Sequence, residues 1–358
     1  MANPERLPNG IKGLSERIEA MGIKFGLWFE PEMTNKDSDL YRAHPDWILH
    51  TPGRNASHGR YQYVLDFSRK EVVEYIYEMM AKILSEAKVS YIKWDMNRSI
   101  TECYSVALPA DRQGEVFHRY ILGVYDLYER LTSEFPEVLF ESCSSGGGRF
   151  DPGMLYYAPQ GWTSDDSDAI ERLKIQYGTS LCYPISSMGS HVSVIPNHQV
   201  FRKTPLHTRA NVAYFGTFGY ELDLNSLKEE EIAEVKEQII FMKKYRKLFQ
   251  FGDFYRLKSP FEGNETIWMV VSEDKKTAIV GYYRTLNGVN QAYSRIKLQG
   301  LDPDMLYENI LNKTENYGDE LMNFGLITTD VTAGEVPGDA TPCTDFESRI
   351  YILKAKEK

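Results

Sequence analysis

The chain has 358 residues and a formal net charge of −10, and 42% of its residues are hydrophobic while 26% are charged. This length suits one large domain plus a small one, or two medium ones, and the negative charge argues against a nucleic-acid partner, whose phosphates it would repel. No apolar run reaches the roughly 18 residues of a membrane span and the first residues hold no apolar signal core, so we expect a cytoplasmic protein without membrane association.

The cysteines indicate neither a metal site nor a redox motif. They lie at Cys103, Cys143, Cys182 and Cys343, without the CxxC spacing that both would require. We therefore expect reduced thiols, no metal and no cofactor.

Up to residue 226 the chain alternates between strand-like and helical patterns. Residues 34–60 interrupt this alternation and are predicted to form one long loop. The predicted helices occupy 14–21, 70–87, 116–135, 169–178 and 227–248. The predicted strands occupy 23–29, 61–67, a run that ends at Asp95, 138–143, a run that ends at Asp165, 183–188 and 213–224. Such alternation is typical of an α/β protein, here with about six strand–helix units.

From residue 251 onward the pattern changes to short alternating runs separated by turn signals such as Asn287-Gly288. Predicted strands occupy 254–258, 266–272, 277–284, 295–297 and 348–353. This spacing favours an antiparallel β-sandwich. We therefore predict two domains, 1–250 and 251–358.

Two of the predicted strands end in carboxylates, Asp95 and Asp165. The carboxyl ends of strands are where an α/β barrel keeps its chemistry. Lys93 shares a strand face with Asp95 and would hold its pKa low, whereas the acidic neighbours Asp166 and Asp168 would raise the pKa of Asp165. Two carboxylates with opposed pKa values suit glycosidic cleavage. The alternative for 165–168 is a helix N-terminus in which one of the acids acts as the cap.

Four motifs then occur in order along the chain, GLWFEPEM at 26–33, KWDMNR at 93–98, CSSGGGRFD at 143–151 and WTSDDSD at 162–168. They resemble the successive motifs of family 36 glycoside hydrolases, the microbial α-galactosidases. The resemblance extends over essentially the whole chain, including the C-terminal β-domain. It implies a (β/α)8-type barrel followed by that domain.

The resemblance also implies an activity and a site. Asp95 would be the nucleophile and Asp165 the general acid/base of a retaining α-galactosidase acting on terminal α-galactosyl residues of the melibiose and raffinose type. Residues around the galactose would be Trp28, Arg60, Lys93, Asn97, Cys143, Gly146 and Trp162. On the residues alone, Arg60 is better explained as an ordinary surface cation than as a site residue. Cys143 could equally be a small buried hydrophobe, and the two tryptophans could be core aromatics.

The chain departs from the family pattern at its start, which resembles the lead-in to the third barrel strand. We therefore expect an incomplete barrel of about six strand–helix units, whose open edges call for homo-oligomerisation or association with an upstream domain. Two alternatives to an active α-galactosidase remain open, a catalytically silent truncated fragment and an α-N-acetylgalactosaminidase. Cys143 and the glycines after it fit the galactosidase pattern better.

Overall fold

The computed structural model describes residues 3–289, 294–328 and 345–356, so Cys343 lies outside the described residues. The chain divides into two compact units, Met1–Trp162 and Thr163–Lys358. None of the described helices is both long enough and apolar enough to cross a membrane.

The first unit is built on a parallel four-stranded sheet in the order β1-β4-β5-β6. Its strands are β1 (Gly26–Phe29), β2 (Met33–Asn35), β3 (Gln62–Val64), β4 (Tyr91–Trp94), β5 (Leu139–Ser142) and β6 (Gln160–Gly161). Its helices are α1 (Gly10–Ala20), α2 (Asp39–Ala43), α3 (Lys70–Glu86), α4 (Val116–Glu134) and α5 (Pro152–Tyr157). Strands β2 and β3 form a separate antiparallel pair.

Apolar stripes on α3 and α4 hold this unit together. Both helices carry buried residues at three- and four-residue spacing, which places them on one face. On α4 this stripe includes Tyr120, Val124 and Tyr128, and the Tyr128 ring stacks on Trp94 of β4 with centroids 4.0 Å apart. The burial of each such side chain stabilises the fold by about 1.5–3 kcal/mol, so the sheet that carries the polar strand ends has a rigid support.

The second unit combines a parallel pair, β7 and β8, with a larger antiparallel sheet. Its first elements are α6 (Ala169–Ser180), β7 (Gly189–Ser193), α7 (Leu206–Ala213), β8 (Thr217–Glu221) and α8 (Glu229–Phe251). They are followed by β9 (Asp253–Lys258), β10 (Glu265–Val271), β11 (Thr277–Arg284), β12 (Arg295–Ile296), β13 (Leu306–Asn309), β14 (Glu315–Tyr317), α9 (Gly318–Asn323), β15 (Leu326–Ile327) and β16 (Glu347–Ala355). The antiparallel sheet has the order β14-β13-β16-β11-β10-β9, and β12 pairs with β15.

The predicted alternation is confirmed in its main lines. The described residues contain six strands in parallel pairing, four in the first unit and two in the second. The strand predicted at 61–67 is present as β3, but it pairs antiparallel with β2. All five predicted helices are present, as are strands within the five runs predicted after residue 251.

Two local predictions were wrong, and one helix was missed. The presumed loop at 34–60 contains part of β2 and all of α2, whose N-cap Ser38 accepts a hydrogen bond from the backbone of Tyr41. The strand expected at 183–188 is replaced by a short 3₁₀ turn, and the strand follows at Gly189–Ser193. Its small polar residues have weak strand propensity, but burial beside β8 overrides it. Before β8, Leu206–Ala213 is helical although its sequence lacks a clear apolar stripe.

Candidate active site

The carboxyl ends of β4, β5 and β6 place three of the predicted site residues in a row. Asp95, Cys143 and Trp162 each follow a strand directly, and each continues the parallel ladder by donating its N–H to the neighbouring strand, at 2.8, 2.8 and 2.9 Å. Because the strands are parallel, these residues emerge at the same edge of the sheet. The ladder therefore fixes the backbone from which the candidate catalytic group projects.

The carboxylate of Asp95 is 6% exposed and receives several hydrogen bonds. Its Oδ2 accepts from Trp28 Nε1 at 3.1 Å and from Asn97 Nδ2 at 2.7 Å. Burial alone would raise its pKa, but hydrogen bonds from Cys143, Asn97 and Trp28, together with the charge of Lys93, outweigh burial and hold the pKa of Asp95 below its usual value. The predicted influence of Lys93 is thus confirmed, although the hydrogen bonds contribute more.

Asn97 connects Asp95 to a second carboxylate, Glu30, which sequence reasoning did not select. Its Nδ2 also donates to Glu30 Oε1 at 2.7 Å, while its Oδ1 accepts from Ser145 Oγ at 3.3 Å. The amide is therefore held at both ends, and its orientation relative to Asp95 is fixed. Glu30 follows β1 directly, so its position at a strand end was a signal available in the sequence.

Arg60 reaches this network through Glu30. Its guanidinium lies 3.3 Å from Glu30 Oε1, and Gln62 Nε2 donates to the other oxygen at 2.9 Å. Arg60 and Tyr61 both have positive φ, 53° and 62°, in a tight turn closed by hydrogen bonds between Gly59 and Gln62. Non-glycine residues rarely adopt this conformation. Arg60 is thus an ordered part of the site, although its side chain is 57% exposed.

Lys93 lies on β4 beside a buried glutamate. Its Nζ is 3.5 Å from Glu141 Oε1 and 4.9 Å from the centre of the Trp162 ring. Glu141 in turn accepts hydrogen bonds at Oε2 from the Tyr91 hydroxyl and from Gln160 Nε2. Glu141 was also missed, although it precedes Cys143 by two residues and therefore shares its strand face.

The glycine-rich segment after β5 is connected to the site by the hydrogen bond from Ser145 to Asn97. Ser145 and Gly146 have φ values of 45° and 81°, and the Gly146 carbonyl accepts from Ser144 N at 2.9 Å. At its end, Arg149 makes two hydrogen bonds, of 2.8 and 2.9 Å, to the fully buried carboxylate of Glu32. This ion pair anchors the segment to the unit's core.

The Cys143 thiol is 1% exposed and hydrogen-bonded to Asp95. Burial, and then the negative charge of Asp95, raise the pKa of the thiol well above its usual value. Cys143 is therefore a neutral donor to the carboxylate. Cys103 and Cys182 are likewise free, and the described residues contain no group of three or more His, Cys, Asp or Glu able to hold a metal ion.

Asp165 belongs to the second unit, where it is exposed in the segment before α6. The prediction that one of the nearby acids caps this helix is confirmed for Asp168, whose Oδ1 accepts from the backbone of Ile170 and Glu171 at 3.0 and 3.1 Å. Arg202 pairs with the same carboxylate. The raised pKa expected for Asp165 stays a prediction, and Arg202 already compensates the charge of Asp168.

The first unit thus brings together eight of the nine predicted residues, and Asp165 lies in the other unit. The contacts described above join Trp28, Arg60, Lys93, Asp95, Asn97, Cys143 and Trp162, and the backbone of Gly146 is hydrogen-bonded to the Cys143 side chain. Such an arrangement can hold an ionised carboxylate beside donors suited to sugar hydroxyls.

Comparison with family models gives two adjacent matches. A model described as Melibiase matches residues 1–252, and a model described as the glycosyl hydrolase family 36 C-terminal domain matches residues 265–353.

Curated relatives and solved structures match the same region. The chain is 55% identical to α-galactosidase AgaA of Geobacillus stearothermophilus over 360 residues, which cover 100% of this chain and 48% of the relative. A variant of that enzyme solved with raffinose superposes with a TM-score of 0.93 at 52% identity, over 99% of this chain and 48% of the other. The α-galactosidase of Lactobacillus brevis gives a TM-score of 0.95 at 50% identity, with the same coverage. The chain thus spans about half the length of these relatives.

Proposed function

The chain belongs to glycosyl hydrolase family 36, and on that premise we propose that it hydrolyses terminal α-galactosyl residues of oligosaccharides with retention of configuration. Asp95 is the nucleophile and Asp165 the general acid/base. The observation that carries this proposal is the environment of the Asp95 carboxylate, which is nearly buried yet kept ionised by its donors. An ionised carboxylate with a fixed orientation is what a covalent glycosyl intermediate requires.

The reaction has two displacements. In the first, an Asp95 oxygen bonds to the anomeric carbon while the glycosidic C–O bond breaks and Asp165 gives its proton to the leaving oxygen. In the second, Asp165 takes a proton from water, whose oxygen bonds to the same carbon and releases Asp95. Each displacement inverts the carbon, so the product keeps the α configuration. Asp165 leaves the first displacement as a carboxylate and regains its proton from the water of the second, so the proton cycle closes without another donor, and its exposed position gives that water access.

The galactose would be bound by the groups around Asp95. Lys93 and Arg60 supply donors for hydroxyl groups, and the Asn97 carbonyl oxygen keeps a lone pair that can accept from one. Trp28 and Trp162 supply aromatic faces. The neutral thiol of Cys143 and the backbone at Gly146 would complete the ring of contacts. Raffinose and stachyose occur in solved complexes of Geobacillus stearothermophilus relatives, so oligosaccharides of this class are the substrates we propose.

We further propose that residues 1–250 form a barrel-type catalytic portion with six of the strand–helix units, and that 251–358 form a β-sandwich domain. The limits of the two family models, 1–252 and 265–353, support this division. The free thiols of Cys103, Cys143 and Cys182 support a reducing compartment such as the cytoplasm.

The test is hydrolysis of p-nitrophenyl α-galactoside by the 358-residue chain, alone and co-expressed with the part of the Geobacillus relative that it does not match. We expect release of nitrophenol that D95N and D165N abolish, and NMR should detect α-galactose first. The exposed D111N is the matched control and should retain activity. Release of β-galactose, or no activity in either preparation, would refute the proposal. Faster cleavage of the α-N-acetylgalactosaminide would reassign the substrate.

A further inference from the structure

The strand register places Glu141 in one row with predicted sugar-binding residues. Trp28 of β1 pairs with Lys93 of β4, Lys93 pairs with Glu141 of β5, and Glu141 pairs with Gln160 of β6. Residues in register on neighbouring strands project from the same face of the sheet. The side chain of Glu141 therefore lies in the layer that supports the site.

The contacts of Glu141 fix the position of its carboxylate. It is 2% exposed, and its Oε2 is held by the Tyr91 hydroxyl and by Gln160, which also donates to the Tyr91 oxygen at 3.2 Å. Burial, and then the charge of Glu141, raise the pKa of Tyr91, so this phenol remains a donor. The other oxygen, Oε1, faces the ammonium group of Lys93 at 3.5 Å.

Lys93 acts on two carboxylates, because its Nζ lies 3.5 Å from Glu141 Oε1 and its charge also lowers the pKa of Asp95. A lysine side chain has a flexible four-carbon stem and about 2 kcal/mol of rotamer entropy, so its ammonium group takes a defined position only when neighbouring groups restrain it. Glu141 supplies this restraint from one side and the Trp162 ring from another. Without the charge of Glu141, the strongest attraction on the ammonium would come from Asp95, and the two would pair.

We propose that Glu141 is a positioning residue that holds Lys93 away from a direct ion pair with Asp95, so that the ammonium binds a sugar hydroxyl and the nucleophile stays free. This inference rests on the proposed function. Glu141 acts only through Lys93 and touches neither the sugar nor the reacting carbon. Its loss should therefore weaken both sugar binding and the first displacement.

The experiment is a double-mutant cycle with E141Q and K93M. In E141Q, we expect kcat/KM for p-nitrophenyl α-galactoside to fall about 10- to 100-fold, as for a misplaced binding group, and the affinity for 1-deoxygalactonojirimycin to fall as well. In the K93M background, the same substitution should change kcat/KM by no more than about threefold, because the group through which Glu141 acts is gone. The surface variant E74Q, which removes a glutamate paired with Arg130, is the matched control.

The outcomes separate the two proposals. A wild type that neither hydrolyses the galactoside nor binds the iminosugar would overturn the proposed function and this inference with it. If the wild type is active, either of two results would overturn this inference alone. One is a kcat/KM of E141Q within about twofold of the wild-type value, and the other is a full additional loss of kcat/KM when E141Q is added to K93M. If E141Q does not fold, Y91F removes one hydrogen bond to Glu141 and should lower kcat/KM in the same direction, again only when Lys93 is present. An unchanged kcat/KM in Y91F would then overturn the inference.

Discussion

The ion pair between Glu32 and Arg149 gives a prediction whose size follows from the structure. Glu32 is fully buried and receives two hydrogen bonds from Arg149, at 2.8 and 2.9 Å, besides those from Trp94 and Tyr120. In R149M the two neutral donors remain, but the cation is lost. Breaking a buried pair in this way costs about 3–5 kcal/mol of unfolding free energy.

Urea unfolding followed by tryptophan fluorescence measures this loss. With a denaturant slope near 3 kcal/mol/M, the midpoint should fall by roughly 1–2 M. The double variant E32Q/R149M removes the uncompensated charge and should recover more than half of the loss. In contrast R42M, which breaks pairs with exposed aspartates, should leave the midpoint unchanged. The reasoning is refuted if R149M costs less than about 1 kcal/mol, or if the double variant is less stable than R149M.

Three further predictions follow. W28F removes a donor to Asp95, so the pKa of this carboxyl should rise and the acidic limb of kcat/KM should move to higher pH in a pH–rate profile. Burial would raise the pKa of Glu102, but backbone donors such as Thr51 outweigh it and lower the pKa to about 2. The stabilising contribution of this carboxylate is therefore present above its unfolded pKa and is lost as the pH falls towards 2. The protection factor of the Thr51 amide, which is its exchange rate relative to the intrinsic rate at the same pH, should fall over that range, and an unchanged protection factor would contradict this prediction. D168A removes both the cap of α6 and the carboxylate that pairs with Arg202, so it should cost at least the about 1–2 kcal/mol of a cap in thermal unfolding, whereas a change within error would count against both roles.

Local sequence patterns were sufficient for most of the fold. The helices α3 and α4 follow apolar stripes with helical spacing, and β10 and β11 follow runs rich in β-branched residues between turn signals. The strand at Gly189–Ser193 could not be found in this way, because its residues favour a strand only when buried beside β8.

The site shows the same division between local and long-range information. Asp95 could be recognised because it ends an apolar strand. The position of Glu30 at a strand end is visible in the sequence, but its role could not be recognised there, because its partner Asn97 lies 67 residues away. Glu141 became interpretable only when the register placed it opposite Lys93. A single sequence records which side chains are present, but the partners of buried carboxylates follow from strand order and register.

The most direct test of the account is the identity of the nucleophile. The protein would be incubated with an activated fluorinated galactosyl donor whose glycosyl-enzyme intermediate breaks down slowly, and its peptides would be analysed by mass spectrometry. The account predicts one fluorogalactosyl group bound to the peptide that contains Asp95, and no label in D95N. A label on another carboxylate, or hydrolysis of the galactoside without any covalent intermediate, would contradict it.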